Sequence, residues 1–503
     1  MDQRTEWRAW AGLAVLSLPT LLVSIDLFVM LMALPRLSAS LHASSVQQLW
    51  ILDIYGFMVG AFLITMGAVG DRIGRRKLLL GGAAAFGAAS VLTAYATSPA
   101  MLIAARALLG LAGATLTPST LALIANLFRD PRRRATAMGI WAGCFSVGAI
   151  VGPLIGGAML DHFWWGSVFL IGVPVMAATL AIGPFLLPEF RDAAASRVDL
   201  LSAALSLATI LPVIYGLKEL ASGGWRAGPV AAVVAGGVVG TVFVRRQQAL
   251  REPLLDLRLF RDRTLTVTLG AMLMYSMLSG GTMTFLAQHF QLVNGLSPLG
   301  AGVAMVPGMA SSIVSFQLAA LLGRRVRPAY LFSGGLAVAV TGLVVITQSA
   351  GTAALATGFA IACFGTGPLV SLGTSLVIGS VPPRRAGAAA GLAQTGNECG
   401  LPLGVALLGS AGILVYRSHL NAHPGEGAHP GELRRIAAQH AFTAELHVIA
   451  AIAAIALAAV AMVIVVALRR VPPLGAPPES QPEPRPEPQP EASFSSPSLG
   501  VDE

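Results

Sequence analysis

Long apolar runs alternate with short polar turns along almost the whole chain, and each run is close to the roughly 20 residues that a helix needs to cross a bilayer. Fourteen such stretches can be drawn, at 11 to 34, 47 to 69, 78 to 97, 101 to 124, 137 to 160, 166 to 187, 199 to 217, 227 to 244, 265 to 290, 297 to 322, 329 to 348, 352 to 378, 387 to 412 and 442 to 468. The pattern predicts an all-α membrane protein with fourteen transmembrane helices. The first run is too long for a signal-peptide core and has no evident cleavage site, so it reads as a retained helix.

Composition supports this picture, with 55% hydrophobic and 11% charged residues where a soluble domain carries about a quarter charged. A net charge of +9 raises the question of a polyanionic partner, and the distribution of the charge answers it. With the N-terminus placed in the cytoplasm, 26 of the 33 Lys and Arg fall on the cytoplasmic side. Six are external (Arg36, Lys218, Arg226, Arg417, Arg434 and Arg435), and Arg106 lies within a span. This positive-inside bias puts both termini in the cytoplasm of a multi-pass cell-membrane protein and accounts for the basicity without nucleic acid. Cys144, Cys363 and Cys399 all fall within spans without paired spacing, which indicates neither a disulfide framework nor a metal site.

An internal repeat divides the chain. Shifted by 252 residues, Gly113 to Gly157 aligns with Gly365 to Gly409 without a gap and with ten identities in 45 positions, against about 4 expected for so Gly- and Ala-rich a composition. Spans 4 and 5 thus map onto spans 12 and 13. The implied organisation is a six-helix bundle over 1–190, an inserted helix pair and linker over 191–262, a second six-helix bundle over 263–470, and a tail over 471–503. Parallel halves of this kind place a substrate site at their interface near the membrane midplane. The tail holds ten of the 31 prolines and reads as extended and disordered. The segment from Arg417 to Ala441 carries His419, His423, His429 and His440; without Cys or a compact helical pair it reads as a solvated loop and not as a metal site.

Three carboxylates, Asp26, Asp53 and Glu398, lie inside apolar runs. An ionised acid in hydrocarbon is costly, so such groups face a bundle interior or an aqueous cavity, where they bind cations or carry protons. Asp26 is eight or so residues from the outer end of span 1, about 12 Å deep. Two roles stand for it: proton or substrate binding, or pairing with Arg106. Asp53, beside Trp50 in WILDIYGFMVG, is only about 6 Å deep and equally fits an interfacial position. Tyr55 and Trp50 are candidate cation-facing aromatics, and Trp50 equally suits the interfacial belt. Glu398, in GLAQTGNECGLPLG, is near the midplane with Gln394, Thr395 and Asn397 around it; in the repeat it stands opposite Ser146. Aromatic and Met side chains such as Phe28, Met30, Met58, Phe62, Met272, Met274, Phe285 and Phe290 suit either a forgiving cavity or ordinary packing.

Between spans 2 and 3, GAVGDRIGRRK combines glycines for a tight reversal with Asp71 positioned to pair with Arg75, Arg76 or Arg106. This loop, with Asp71, Arg72, Gly74, Arg75 and Arg76, resembles the signature of the major facilitator superfamily. The resemblance implies a two-bundle fold and a conformational latch between the halves. The second half has only Gly323, Arg324, Arg325 and Arg327 at the matching turn, with no acid. Arg106, with Gly110 and Gly113, matches the superfamily's fourth-span arginine motif, as a proton-relay member or a structural hydrogen-bonding group. Span 5 reads GAIVGPLIGG, in which Gly148, Gly152 and Gly156 recur on one helix face while Pro153 removes a backbone hydrogen bond. Together with Gly157 it is similar to the motif of the drug:proton antiporters, which implies export. The placed acids and Ala33-Leu34-Pro35 resemble the fourteen-span members that extrude quaternary ammonium compounds and dyes. Where some of those carry an acid in span 10, this chain has Ser311, Ser312, Ser315 and Gln317.

The expectation is a non-enzymatic, proton-coupled antiporter for lipophilic cations, embedded in lipid as a monomer and driven by the proton gradient without another cofactor. Expelling one positive charge against an inside-negative potential costs about 2.3 kcal/mol per 100 mV, which an imported proton cancels. No Gly-x4-Gly-Lys-Ser/Thr string is present, so a nucleotide-driven pump is disfavoured. The alternatives are export of an endogenous metabolite, lipid or antibiotic with Arg106 as ligand, and, more remotely, a polytopic enzyme or sensor.

Overall fold

Each apolar run folds into a helix, because in hydrocarbon every backbone N–H and C=O has to be satisfied within its own segment. The computed structural model describes residues 3–128, 130–189, 191, 199–223, 226–250, 257–381, 386–422 and 430–473. Among these, fourteen helices are long and apolar enough to span a membrane. They are α1 (Gln3–Leu41), α2 (Ser45–Ile73), α3 (Arg75–Ala94), α4 (Pro99–Leu127), α5 (Pro131–His162) and α6 (Ser167–Leu186), then α7 (Leu200–Gly223) and α8 (Ala227–Ala249). The last six are α9 (Arg263–Leu292), α10 (Pro298–Leu322), α11 (Pro328–Thr347), α12 (Thr352–Gly379), α13 (Ala386–Ala422) and α14 (Pro430–Leu468). The fourteen expected spans and the all-α class are therefore found.

Polar residues at the helix ends satisfy the orphan backbone donors. Ser44 forms a capping box with Gln47 at the start of α2, and Ser98, Asp130, Asp262 and Ser297 accept backbone N–H groups at the starts of α4, α5, α9 and α10. Several helices, α1, α5, α13 and α14 among them, outrun the apolar stretches that mark them. The segment expected as a loop from Arg417 to Ala441 is helical at both ends, where α13 continues to Ala422 and α14 begins at Pro430. His423, His429 and the Pro-rich tail from 474 onward lie outside the described residues, as do Pro383, Arg384 and Arg385 of the repeat.

The 252-residue register recurs in the packing. A Cβ at Gly148 of α5 would meet Ser24 of α1, and one at Gly400 of α13 would meet Ser276 of α9, both at 2.6 Å. The same two serines donate hydrogen bonds of 2.7 Å to the carbonyls of Phe145 and Asn397, again 252 apart. The glycines at 148, 152 and 156 lie against Ser24, Phe28 and Val29, so the α5 stripe is where α1 and α5 approach most closely.

The two bundles meet along α2–α13 and α5–α10. Call the face that carries Asp71 to Lys77 the basic face. At the other face α5 and α10 touch: a Cβ at Gly302 would come within 2.7 Å of the Pro153 carbonyl, and one at Gly157 within 2.5 Å of Leu299. Gly143 and Gly139 share the Gly157 side of α5 by helical period, yet a Cβ at either meets nothing within 4 Å. The halves are closed away from the basic face and splay toward it.

The inserted pair lies at the periphery, with only 11% of the α8 span buried against 67% for α1. Exposed apolar side chains such as Phe185, Ile455 and Met462 suit contact with lipid tails.

Candidate functional site

Between the halves lies a cavity of about 260 Å³ walled by α1, α2, α5, α9, α10, α12 and α13. Its polar lining includes Tyr55, Ser146, Asn397 and Glu398, and its apolar lining includes Phe28, Phe145, Phe316 and Phe359. Ser146 and Glu398, paired only by the repeat in the sequence, thus share one wall system. Of the eight aromatic and Met side chains named as cavity candidates, Phe28 borders it, whereas Met30, Met272, Phe285 and Phe290 are core packing.

The three expected acids have different surroundings. Glu398 accepts a 2.9 Å hydrogen bond from Gln394 Nε2, one turn earlier on α13, and has no ion pair among the described residues. Asp26 is paired: Arg106 Nη1 lies 3.1 Å from its Oδ2, and the guanidinium also donates from Nε to the Ile51 carbonyl at 3.1 Å. The Arg106 guanidinium sits 5.1 Å from the Tyr55 ring centroid and 5.9 Å from that of Phe169, and only 1% of the residue is exposed. Such a buried charge needs these partners, and α1, α2 and α4 are tied together by them. Tyr55 borders the cavity, and its hydroxyl, buried against Gly113 of α4, has no hydrogen-bond partner among the described residues.

Asp53 corrects the reading of two residues. Its Oδ2 is 2.6 Å from Lys218 Nζ of α7, both side chains being wholly buried, and the ammonium stands 4.3 Å from the Trp50 ring centroid. Lys218, assigned to the external side, is therefore an intramembrane residue, and Arg106 is not the sole basic group within the spans. Lys218 falls one residue past the end of the apolar run drawn at 199 to 217, where a lysine ordinarily snorkels to the interface. Glu445 is a further buried acid. It lies at the start of the run drawn at 442 to 468, where an acid reads as interfacial, and is 4% exposed against Gly412.

The loop between α2 and α3 folds as its glycines suggest. Gly74 adopts φ +114°, and a Cβ there would collide with the Glu189 carboxylate. Asp71 pairs with Arg75 at 2.6 Å, not with Arg76 or Arg106, and Arg75 reaches the Pro118 carbonyl of α4. Arg76 pairs with Glu189 at 3.6 Å and donates to the carbonyls of Pro184 and Leu187. Arg72 is exposed. All of these partners are in the first half, so in this conformation the loop braces one bundle while the basic face is open.

Two bundles about a central cavity define a membrane transporter rather than an enzyme. The family model of the Major Facilitator Superfamily matches residues 16–405, and the chain belongs to that superfamily. It is 40% identical over 84% of its length, and 84% of the relative's, to the multidrug efflux pump LfrA of Mycolicibacterium smegmatis. Identity is 34% to the methyl viologen resistance protein SmvA of Salmonella typhimurium, over 82% of this chain and 83% of that one. With the probable actinorhodin transporter of Streptomyces coelicolor it is 31%, over 84% and 75%. Among solved structures, an inward-facing, unoccupied bacterial homolog of the human lysosomal transporter Spinster superimposes with a TM-score of 0.66 at 17% identity, over 92% of this chain and 97% of that one.

Proposed function

We propose that the chain is a proton-coupled antiporter of the cell membrane that exports lipophilic cationic drugs, such as quaternary ammonium compounds and dyes, by alternating access. The observation that carries this is Glu398, an acid on the wall of an aromatic cavity with no cationic partner among the described residues. In a low-dielectric site a carboxylate is neutralised either by a proton or by a cationic cargo, and the two exclude one another. Exchange of one for the other at Glu398 couples the fluxes, while phenylalanine faces receive the apolar body of the cargo. The names of the relatives, multidrug efflux and methyl viologen resistance, support drug export.

Asp26 acts beside this site through Arg106, whose charge it holds in place next to Tyr55. The pair also weighs against export of an anion, since Arg106 is already engaged by Asp26 and the Ile51 carbonyl. Both termini lie on the cytoplasmic side, and the monomer works with no cofactor beyond the proton gradient.

The test is transport by purified protein in vesicles carrying an inward proton gradient. Adding ethidium to the side opposite the protons dissipates the gradient in the unmodified chain, and Glu398→Gln abolishes the response. Coupling by this acid is refuted if Glu398→Gln still exchanges protons for ethidium at the original rate.

A further inference from the structure

Neither Lys218 nor Asp53 lines the cavity; the pair is buried where α7 packs on α2, at the flank of the joint between the halves. There α7 lies over the line where α2 of the first bundle meets α13 of the second: Ile214 packs in one cluster with Phe57 of α2 and Ala406 of α13, flanked by Leu211 and Leu403. The two sides of this contact differ in kind. Toward α2, α7 extends an ammonium into a carboxylate and over the Trp50 ring, with both charges fully withdrawn from solvent. Toward α13, the described cluster is entirely aliphatic.

These contacts respond differently to motion. Separating a buried ion pair strands two charges in hydrocarbon, so α7 is bound to move with α2. Aliphatic surfaces have no register to keep and slide past one another at little cost in a lipid surround. Alternating access shifts α2 relative to α13, and α7 is the element that covers that line from the lipid side.

We propose that Lys218 and Asp53 are positioning residues that fasten the inserted hairpin to the first half, so that α7 travels with α2 and slides over α13 as a seal on the joint. Asp53 then acts on turnover through Lys218 and does not touch the cargo. This rests on the transport reading above but is independent of Glu398.

The experiment uses the full chain with Cys144, Cys363 and Cys399 replaced by alanine, and ethidium as the cargo. A thiol cross-link between Ile214→Cys and Phe57→Cys joins α7 to α2 and leaves efflux near its uncross-linked rate. A cross-link between Ile214→Cys and Ala406→Cys joins α7 to α13 and arrests it, with recovery on reduction. The reverse ranking, or arrest by neither, overturns the proposal. A second arm avoids stranded charges: Asp53→Asn with Lys218→Met folds with unchanged thermostability, yet turnover drops about tenfold while KM stays within about twofold. The exchanged pair Asp53→Lys with Lys218→Asp restores most of that turnover, as coupled residues do in a double-mutant cycle. A raised KM with intact turnover would make Asp53 a cargo contact, and full activity of the neutral pair would leave it no part in the cycle. Rates are scored against the unmodified chain, whose own efflux is the separate test of cargo.

Discussion

At the scale of single residues, the spans contain acids with unlike companions. Asp26 is answered by Arg106 and Asp53 by Lys218, whereas Glu398 has only an amide. The difference sets distinct outcomes for neutralisation. Asp26→Asn leaves Arg106 charged and buried without its counter-ion, which costs about 3–5 kcal/mol. Its apparent melting temperature in detergent drops well below that of the unmodified chain, and Asp26→Asn combined with Arg106→Met recovers part of it. Glu398→Gln, by contrast, removes a lone acid and leaves thermostability unchanged or raised while proton-linked efflux is lost; a large fall in melting temperature would contradict this contrast. Glu398 was legible in the sequence because it sits in the most polar stretch of any span. The partner of Asp53 was not, because a lysine at the end of an apolar run has the same local signature whether it turns outward to water or inward to an acid.

At the scale of elements, helix length and apolar run were enough to find all fourteen spans, since a bilayer leaves the backbone no alternative. What the runs could not give is which face of each helix meets which neighbour. The α5 glycines show the intermediate case: their spacing marks a close approach, and the structure supplies α1 as the partner. Gly148→Val forces side-chain atoms into Ser24 and the Leu21 carbonyl, and lowers both folded yield and melting temperature. Gly143→Val, on an open part of the same helix, leaves them unchanged. The inserted hairpin is pinned at its base by Asp199, which caps α7 through Ser202 and pairs with Arg246 of α8 at 3.0 Å. Partial burial pushes the Asp199 carboxyl up, and the hydrogen bonds from Ser202 and Arg246 outweigh it, holding the acid below its ordinary range. A depressed acid stabilises the fold fully above its unfolded value near pH 4, and the contribution drains away as pH falls through the lower folded value. The apparent melting temperature in detergent therefore falls in acid below about pH 4, and in Asp199→Ala that fall is smaller.

At the scale of the whole molecule, the halves are closed at one face and apart at the basic face. A cysteine placed at Gly139 reacts with an impermeant maleimide supplied from the basic side, whereas one at Gly157, packed on Leu299, does not. Equal labelling of the two would mean that the resting protein is not in this arrangement. The repeat foretold two similar bundles, yet it did not foretell their division of labour. Ser146 and Glu398 occupy equivalent places, and the second bundle alone brings a charge to the cavity. Asp26 and Asp53 are already cancelled by their basic partners and Glu445 is not part of the cavity lining, so on the proposed exchange the charge that crosses with the cargo is set by whatever sits on Glu398. Loaded with one monovalent cargo or with one proton, it crosses with the same charge, so a full turn of the cycle carries no current. A doubly charged cargo exchanged for one proton has to climb the membrane voltage with its second charge, and its extrusion weakens as the cell interior becomes more negative.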